Sequence, residues 1–355
     1  MIKVLVVEDS PVVQEFLVYI LSSDPEIQVI GTANDGEEAI EAVRRKKPDV
    51  ITMDINMPKV NGLDATRRIM ETYPTPIVIV SGSWDTKEVE TTFRAMEAGA
   101  LAGVQRPMGI GHQDHEETAK ELVQTVKLMS EVKVVRRWPQ YKRKTVAPVV
   151  SPPTEEVDIK RIPAEIRIVA IGTSTGGPPV LQTILSGLPK DFSVPVLIVQ
   201  HMTHGFTKGL VEWLAQSTGF SVHIAVDNEY LLPGHAYVAP DGFHMKVEIG
   251  NRIALSKDEP ENGLRPSVSY LFRSVTKAFG QNAVGVLLTG MGKDGAEELK
   301  LMREKGAVTI AQDRESSVVY GMPGEAVKLD GATYVLSPDN IAAVLTNLVY
   351  LRNRR

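Results

Sequence analysis

Val4-Leu-Val-Val-Glu-Asp-Ser-Pro11, Val50-Ile-Thr-Met-Asp54 and Ile77-Val-Ile-Val-Ser81 share one pattern. Each is an apolar, mostly β-branched run that halts at a polar residue. Such runs are strands buried on both faces of a parallel sheet, and the halting residues lie at their carboxyl ends. Gln28–Thr32 and Leu101–Gln105 read as two more strands. Between the strands, apolar residues recur at helical spacing in Pro11–Leu21, Gly36–Arg45, Leu63–Thr72, Thr86–Ala98 and Glu117–Met129, with Ser10 as the first N-cap. Alternation of this kind over ~120 residues predicts a doubly wound α/β sheet.

A second alternating block follows. Arg167–Ile171 is a strand, succeeded by Gly172-Thr-Ser-Thr-Gly-Gly177 and a helix around Val180–Leu188. Val194–Val199 is a strand ending in Gln200-His201, and Thr207–Gln216 a helix. Ser221–Val226 and Ala236–Ala239 read as strands, and Met245–Leu255 as a hairpin about Gly250-Asn251. Ser267–Ala278 is a helix and Ala283–Leu288 a strand, followed by Gly290-Met-Gly-Lys-Asp-Gly295 and a helix to Lys305. Ala307–Ala311 is a strand and Ile341–Leu351 a closing helix.

The chain has 355 residues, enough for two domains at about 150 residues each. With 43% hydrophobic and 23% charged residues and a net charge of −5, it is neither wholly disordered nor a binder of nucleic acid through bulk positive charge. No helix-turn-helix pattern is present, so no nucleic acid is expected as a partner. The absence of cysteine excludes disulfides, thiolate metal sites and cysteine nucleophiles, and fits a reducing compartment. The opening apolar run stops at Glu8-Asp9, and no stretch approaches the ~20 apolar residues of a membrane span. A cytoplasmic protein without direct membrane insertion is expected. Pro139, Pro148, Pro152 and Pro153 punctuate a segment whose first half carries Lys133, Arg136, Arg137, Lys142, Arg143 and Lys144. Its lack of helical period marks a linker at 130–163, between domains at 1–129 and 164–355.

In a flavodoxin-like strand order the first and third strands are neighbours, so Glu8, Asp9 and Asp54 converge. A lone strand-end acid is ordinarily just solvated, but three together need a cation. All-oxygen donors suit Mg²⁺. Asp54 is then a candidate nucleophile toward a phosphoryl donor, Ser81 a hydroxyl placed to bond the new phosphoryl group, and Arg106 a cation placed to pair with it.

VLVVEDSP, VITMDINMPKVNGLD, IVIVSGS and the turn before Pro107 resemble a two-component receiver domain. The resemblance implies phosphorylation of Asp54 by a histidine kinase, Mg²⁺ held by Glu8, Asp9 and Asp54, and phosphorylation sensing by Ser81 and Arg106. The family usually has Lys where this chain has Arg106, and these two cations are not interchangeable.

In the second block, Ser174 lies in a strand-to-helix turn that suits either a nucleophile or a phosphate cradle. A serine nucleophile needs a base and an orienting acid. His201, with His204 as rival, and Asp294, with Asp241 as rival, lie on the same expected rim. Gly290, Gly292 and Gly295 also match a dinucleotide fingerprint, with Asp313 at the ribose-binding distance, although the motif comes late in its domain.

IVAIGTSTGGPP, PVLIVQHM, LLPGHAYVAPDGFHM, LRPSVSYLF, AVGVLLTGMGKDGAEEL, TIAQD and VYGMPGEA resemble the catalytic domain of bacterial chemosensory protein-glutamate methylesterases. The resemblance implies a flavodoxin-like receiver joined by a linker to a doubly wound, Rossmann-like α/β esterase domain. It further implies Ser174 as nucleophile, His201 as base and Asp294 as its orienting acid, with Thr175, Met291 and Arg265 at the oxyanion and substrate positions. The esterase needs no cofactor on this resemblance. The substrates it implies are methyl-accepting chemotaxis receptors, with glutamine deamidation a second activity, and the phosphodonor is a chemosensory histidine kinase. Two departures are Thr173, where a smaller residue is usual, and Ser269, where an acid is common; neither is expected to touch the triad, and the second bears on substrate contacts.

Overall fold

The computed structural model describes residues 1–82, 86–132, 134 and 165–350. The linker expected at 130–163, including its basic cluster, lies outside them apart from 130–132 and 134.

The first unit alternates β1 (Ile2–Val7), α1 (Pro11–Ser22), β2 (Ile27–Ala33), α2 (Gly36–Lys46), β3 (Val50–Met53), α3 (Gly62–Thr72), β4 (Ile77–Ser81), α4 (Thr86–Ala98), β5 (Ala102–Gln105) and α5 (His115–Ser130). Its sheet is parallel in the order β2-β1-β3-β4-β5. All residues of β3 and β4 are buried, as their unbroken apolar sequence requires. Asp35 caps α2 by accepting the amides of Glu37 and Glu38, and Arg44, Arg45 and Lys46 oppose the dipole at its far end. One local expectation holds in position without its bond. Ser10 sits at the N-cap of α1 without a side-chain cap bond. Its amide instead donates to Glu8 Oε1 at 3.2 Å, and Pro11 at the first position has no N–H to satisfy.

The second unit runs β6 (Ile168–Thr173), α6 (Gly177–Gly187), β7 (Val196–Gln200), α7 (Thr207–Thr218), β8 (Ser221–Ile224), β9 (His235–Val238), β10 (His244–Glu248), β11 (Arg252–Ser256), α8 (Val268–Phe279), β12 (Ala283–Leu287), α9 (Ala296–Glu304), β13 (Val308–Gln312), α10 (Met322–Lys328), β14 (Tyr334–Leu336) and α11 (Pro338–Tyr350). Seven strands form a parallel sheet in the order β14-β13-β12-β6-β7-β9-β8, a Rossmann-like arrangement with β9 set between β7 and β8. β10 and β11 pair separately as the antiparallel hairpin expected around Gly250-Asn251. Sequence reading missed α10 and β14. They are short, and Pro323 and Gly324 break the periodicity of α10. From β6 the chain moves to β7 on one side, and β12 returns on the other. The crevice beyond the carboxyl ends of these three strands is therefore the expected place for a ligand.

The two units share a core. Phe93 of α4 is fully buried, stacked on Trp213 of α7 with centroids 5.2 Å apart and edge-on to Phe206. Thr203, in the loop after β7, donates to Glu121 of α5 at 2.5 Å, and Gln182 of α6 donates to Glu97 of α4. Val318 and Val319 pack against the apolar cluster of the first unit. No described helix is long and apolar enough to cross a membrane. Phe93→Ala should cost about 3 kcal/mol of stability, as buried Phe truncations do. Urea unfolding would report that loss, and faster amide exchange confined to α4 and α7 would locate it.

Candidate active site

Ser174 leaves the end of β6 half-buried. Its amide donates to Thr289 O at 3.0 Å, which ties the turn to the segment after β12. Gly290 passes directly behind it: a Cβ there would lie 2.7 Å from Ser174 Cβ, so only glycine fits. Gln200 Nε2 donates to the carbonyls of both Ser174 and His201 at 2.8 Å, and the His201 amide donates to Thr173 O at 2.9 Å. The ends of β6 and β7 are thus fixed to one another. Thr173 is fully buried and its hydroxyl donates to Thr289 O. Thr175 contributes its carbonyl, which accepts from Thr289 Oγ1 at 2.9 Å.

His201 Nε2 stands 3.0 Å from Asp294 Oδ2. The contact is at ion-pair distance without the alignment of a hydrogen bond; a proton on Nε2, the nitrogen facing the carboxylate, leaves Nδ1 as the one free to accept. Asp294 is buried at the N-terminus of α8. Its Oδ1 accepts from Ser267 Oγ at 2.9 Å and from the Ser269 amide at 3.1 Å; its Oδ2 accepts from the Val268 amide at 2.6 Å. Burial works against this charge. His201, Ser269 and the Val268 amide outweigh it and hold the carboxyl at about 2, below its ordinary 3.8.

The rivals separate cleanly. His204 is exposed, and Asp241 is occupied by the Gly205 amide and the Thr207 hydroxyl, where it closes the loop after His201. Asp313, expected near a ribose, accepts instead from the amide and hydroxyl of Ser316. Ser269 is 3% exposed, accepts the Gly295 amide and donates to Glu298. Met291 is exposed on the loop that carries Asp294. Arg265 donates to the carbonyls of Lys257 and Asp258 at 3.2 Å, with its Nε buried and unpartnered. Sequence reasoning did not single out Ser267 or Gln200 for the site. The one available signal was their position, Ser267 opening a helix and Gln200 adjoining His201.

A second polar centre lies beyond β1, β3, β4 and β5. Glu8, Asp9 and Asp54 each place a carboxylate oxygen within 4.8 Å of the others. Burial, with Asp54 beside it, pushes Glu8 up to about 7 against the pull of Arg106. Burial likewise raises Asp54, opposed by the Ile55 amide and Arg106. This all-oxygen donor set, short of positive charge, fits a hard divalent cation. Ser81 is buried at the end of β4, and its carbonyl accepts the Arg106 amide at 2.7 Å.

Because the folded Asp294 carboxyl sits at about 2, below its unfolded value of 3.8, its contribution is present above the unfolded value and lost as pH falls toward the folded one. The stability gap between wild type and Asp294→Asn should therefore narrow by about 2 kcal/mol between roughly pH 5 and pH 2. Urea denaturation of the two proteins across that range measures it.

Residues 169–345 match the family described as CheB methylesterase, and residues 4–116 match the response regulator receiver domain. A protein-glutamate methylesterase/protein-glutamine glutaminase of Nitrosospira multiformis is 62% identical over 98% of this chain and 97% of its own length. A protein of the same description from Geobacter metallireducens is 61% identical over 98% of this chain and 99% of its own. The crystal structure of the Thermotoga maritima CheB methylesterase catalytic domain, 37% identical, aligns over all of its length and 52% of this chain with a TM-score of 0.51. With a receiver sheet, a serine–histidine–aspartate rim and this identity over nearly its whole length, the chain belongs to the protein-glutamate methylesterase/protein-glutamine glutaminase family.

Proposed function

We propose that the chain hydrolyses glutamyl methyl esters on methyl-accepting chemotaxis receptors, releasing methanol, and deamidates receptor glutamines by the same route. The carrying observation is the Asp294–His201 contact beside Ser174, on a rim built from three adjacent strands. His201 Nδ1 takes the Ser174 proton as Oγ bonds the ester carbonyl carbon. The Met291 amide donates to the oxyanion, and Thr175 and Arg265 orient the substrate. The carbon–methoxy bond breaks and the methoxy oxygen takes the proton from His201. Water then adds to the acyl-serine with His201 again as base, which frees the glutamate carboxylate and restores Ser174. Asp294 stays ionised throughout and stabilises the imidazolium. For a glutamine substrate, ammonia leaves in place of methanol.

The first unit controls this reaction. An Asp54 oxygen attacks the phosphorus of a phosphohistidine on a chemosensory kinase, and the phosphorus–nitrogen bond breaks. A Mg²⁺ held by Glu8, Asp9 and Asp54 would neutralise charge on the transferring oxygens. Ser81 and Arg106 then bond the phosphoryl group. Because α4 and α5 rest on α7 and on the loop after His201, rearrangement there reaches the esterase rim. On this reading the protein works in the cytoplasm.

Methanol release from a radiomethylated receptor preparation tests the proposal. Ser174→Ala should lower the rate by at least about 10³-fold. Asp54→Asn should retain basal release and lose its stimulation by a phosphodonor. Equal release by wild type and Ser174→Ala would overturn the assignment.

A further inference from the structure

Arg106 occupies an unusual seat. Its Nη2 donates to Glu8 Oε2 at 3.1 Å and lies 3.9 Å from Asp54 Oδ1. Glu8 is 1% exposed, so the carboxylate that the guanidinium holds is an inner wall of the acidic centre. Arg106 Nε is buried with no hydrogen-bond partner. The guanidinium also lies against the backbone of Gly82. A Cβ on that residue would fall 2.8 Å from Nη1, 2.9 Å from Cζ and 3.2 Å from Nη2. Any side chain at position 82 would displace the planar group from where it reaches Glu8. A lysine has no planar fork to lie in that space.

The same Glu8 oxygens are needed by a divalent cation. A guanidinium and Mg²⁺ cannot share one carboxylate at close range without mutual repulsion. Resting on the receiver reading given above, we propose that Arg106 is a built-in competitor of the cation. Its guanidinium must leave Glu8 before Mg²⁺ binds there, and the open space over Gly82 is what lets it sit in that position. The pair Gly82 and Arg106 therefore sets how much free Mg²⁺ the receiver needs. Once released, the guanidinium's Nε and Nη2 edge is available to two oxygens of a phosphoryl group on Asp54.

Titration calorimetry of the full chain with MgCl₂ alone separates the outcomes, because no phosphodonor or esterase substrate is present. Gly82→Ala changes no charge, and the three atoms its Cβ would meet first are the flexible end of Arg106. It should tighten Mg²⁺ binding by about tenfold, the equivalent of releasing one charge-assisted hydrogen bond. Arg106→Gln should tighten it at least as much, while Glu8→Gln should weaken it. Circular dichroism checks that each variant is folded. Equal Mg²⁺ affinity in wild type and Gly82→Ala, with Glu8→Gln weakened, would overturn the competitor and leave the receiver reading intact. Absence of binding in wild type and in all variants would overturn both.

Discussion

The carboxylate of Asp294 is the point on which the esterase half depends. Its two oxygens accept from Ser267, from the amides of Val268 and Ser269, and face His201. Without those donors a buried aspartate would take up a proton, and the imidazole would lose both its orientation and its counter-charge. The N-terminus of α8 supplies fixed partial positive charge where a mobile solvent shell would otherwise be needed. The loop after β12, the start of α8 and the end of β7 are consequently locked together before any substrate arrives. The acidic centre of the receiver is the opposite case. Its carboxylates face one another with the Arg106 guanidinium beside Glu8 and Asp54, and burial works against their charge instead of being outweighed.

The sheets were largely legible because their central strands, such as β1, β4, β6 and β7, are mostly Val, Ile and Leu, with lengths and flanking turns that suit strands. The convergence of Glu8, Asp9 and Asp54 followed from strand order, since three carboxylates at the ends of neighbouring strands have nowhere else to go. The esterase centre was less open to such reading. His201 and His204 are three residues apart, and composition cannot say that one turns inward and the other to solvent. Asp241 and Asp294 both follow strands, and only the fold shows that Asp241 is used up by Gly205 and Thr207. The resemblance to a known family chose among these residues where spacing could not. Ser267 stayed invisible because its partner lies 27 residues away and the two meet only when α8 packs beside β12.

The contact between the two halves joins apolar packing to polar attachment. Phe93 fills a place among Phe206 and Trp213 that water cannot replace without cost, whereas the Thr203–Glu121 bond is exchanged with water at little net change. The aromatic contact therefore supplies apolar burial between the halves. The polar one specifies register, and it does so two residues from His201.

The strand order also bears on synthesis at the ribosome. β6, which leads to Ser174, pairs on one side with β7 and on the other with β12, whose residues emerge more than a hundred positions later. β8 pairs only with β9, which follows it. The receiver sheet is complete once β5 has emerged, so it can fold while the second half is still being made. The esterase rim is different: half of its wall does not exist until Asp294 has left the exit tunnel. A nascent chain thus holds every strand of the receiver sheet long before it holds both walls of the hydrolytic centre.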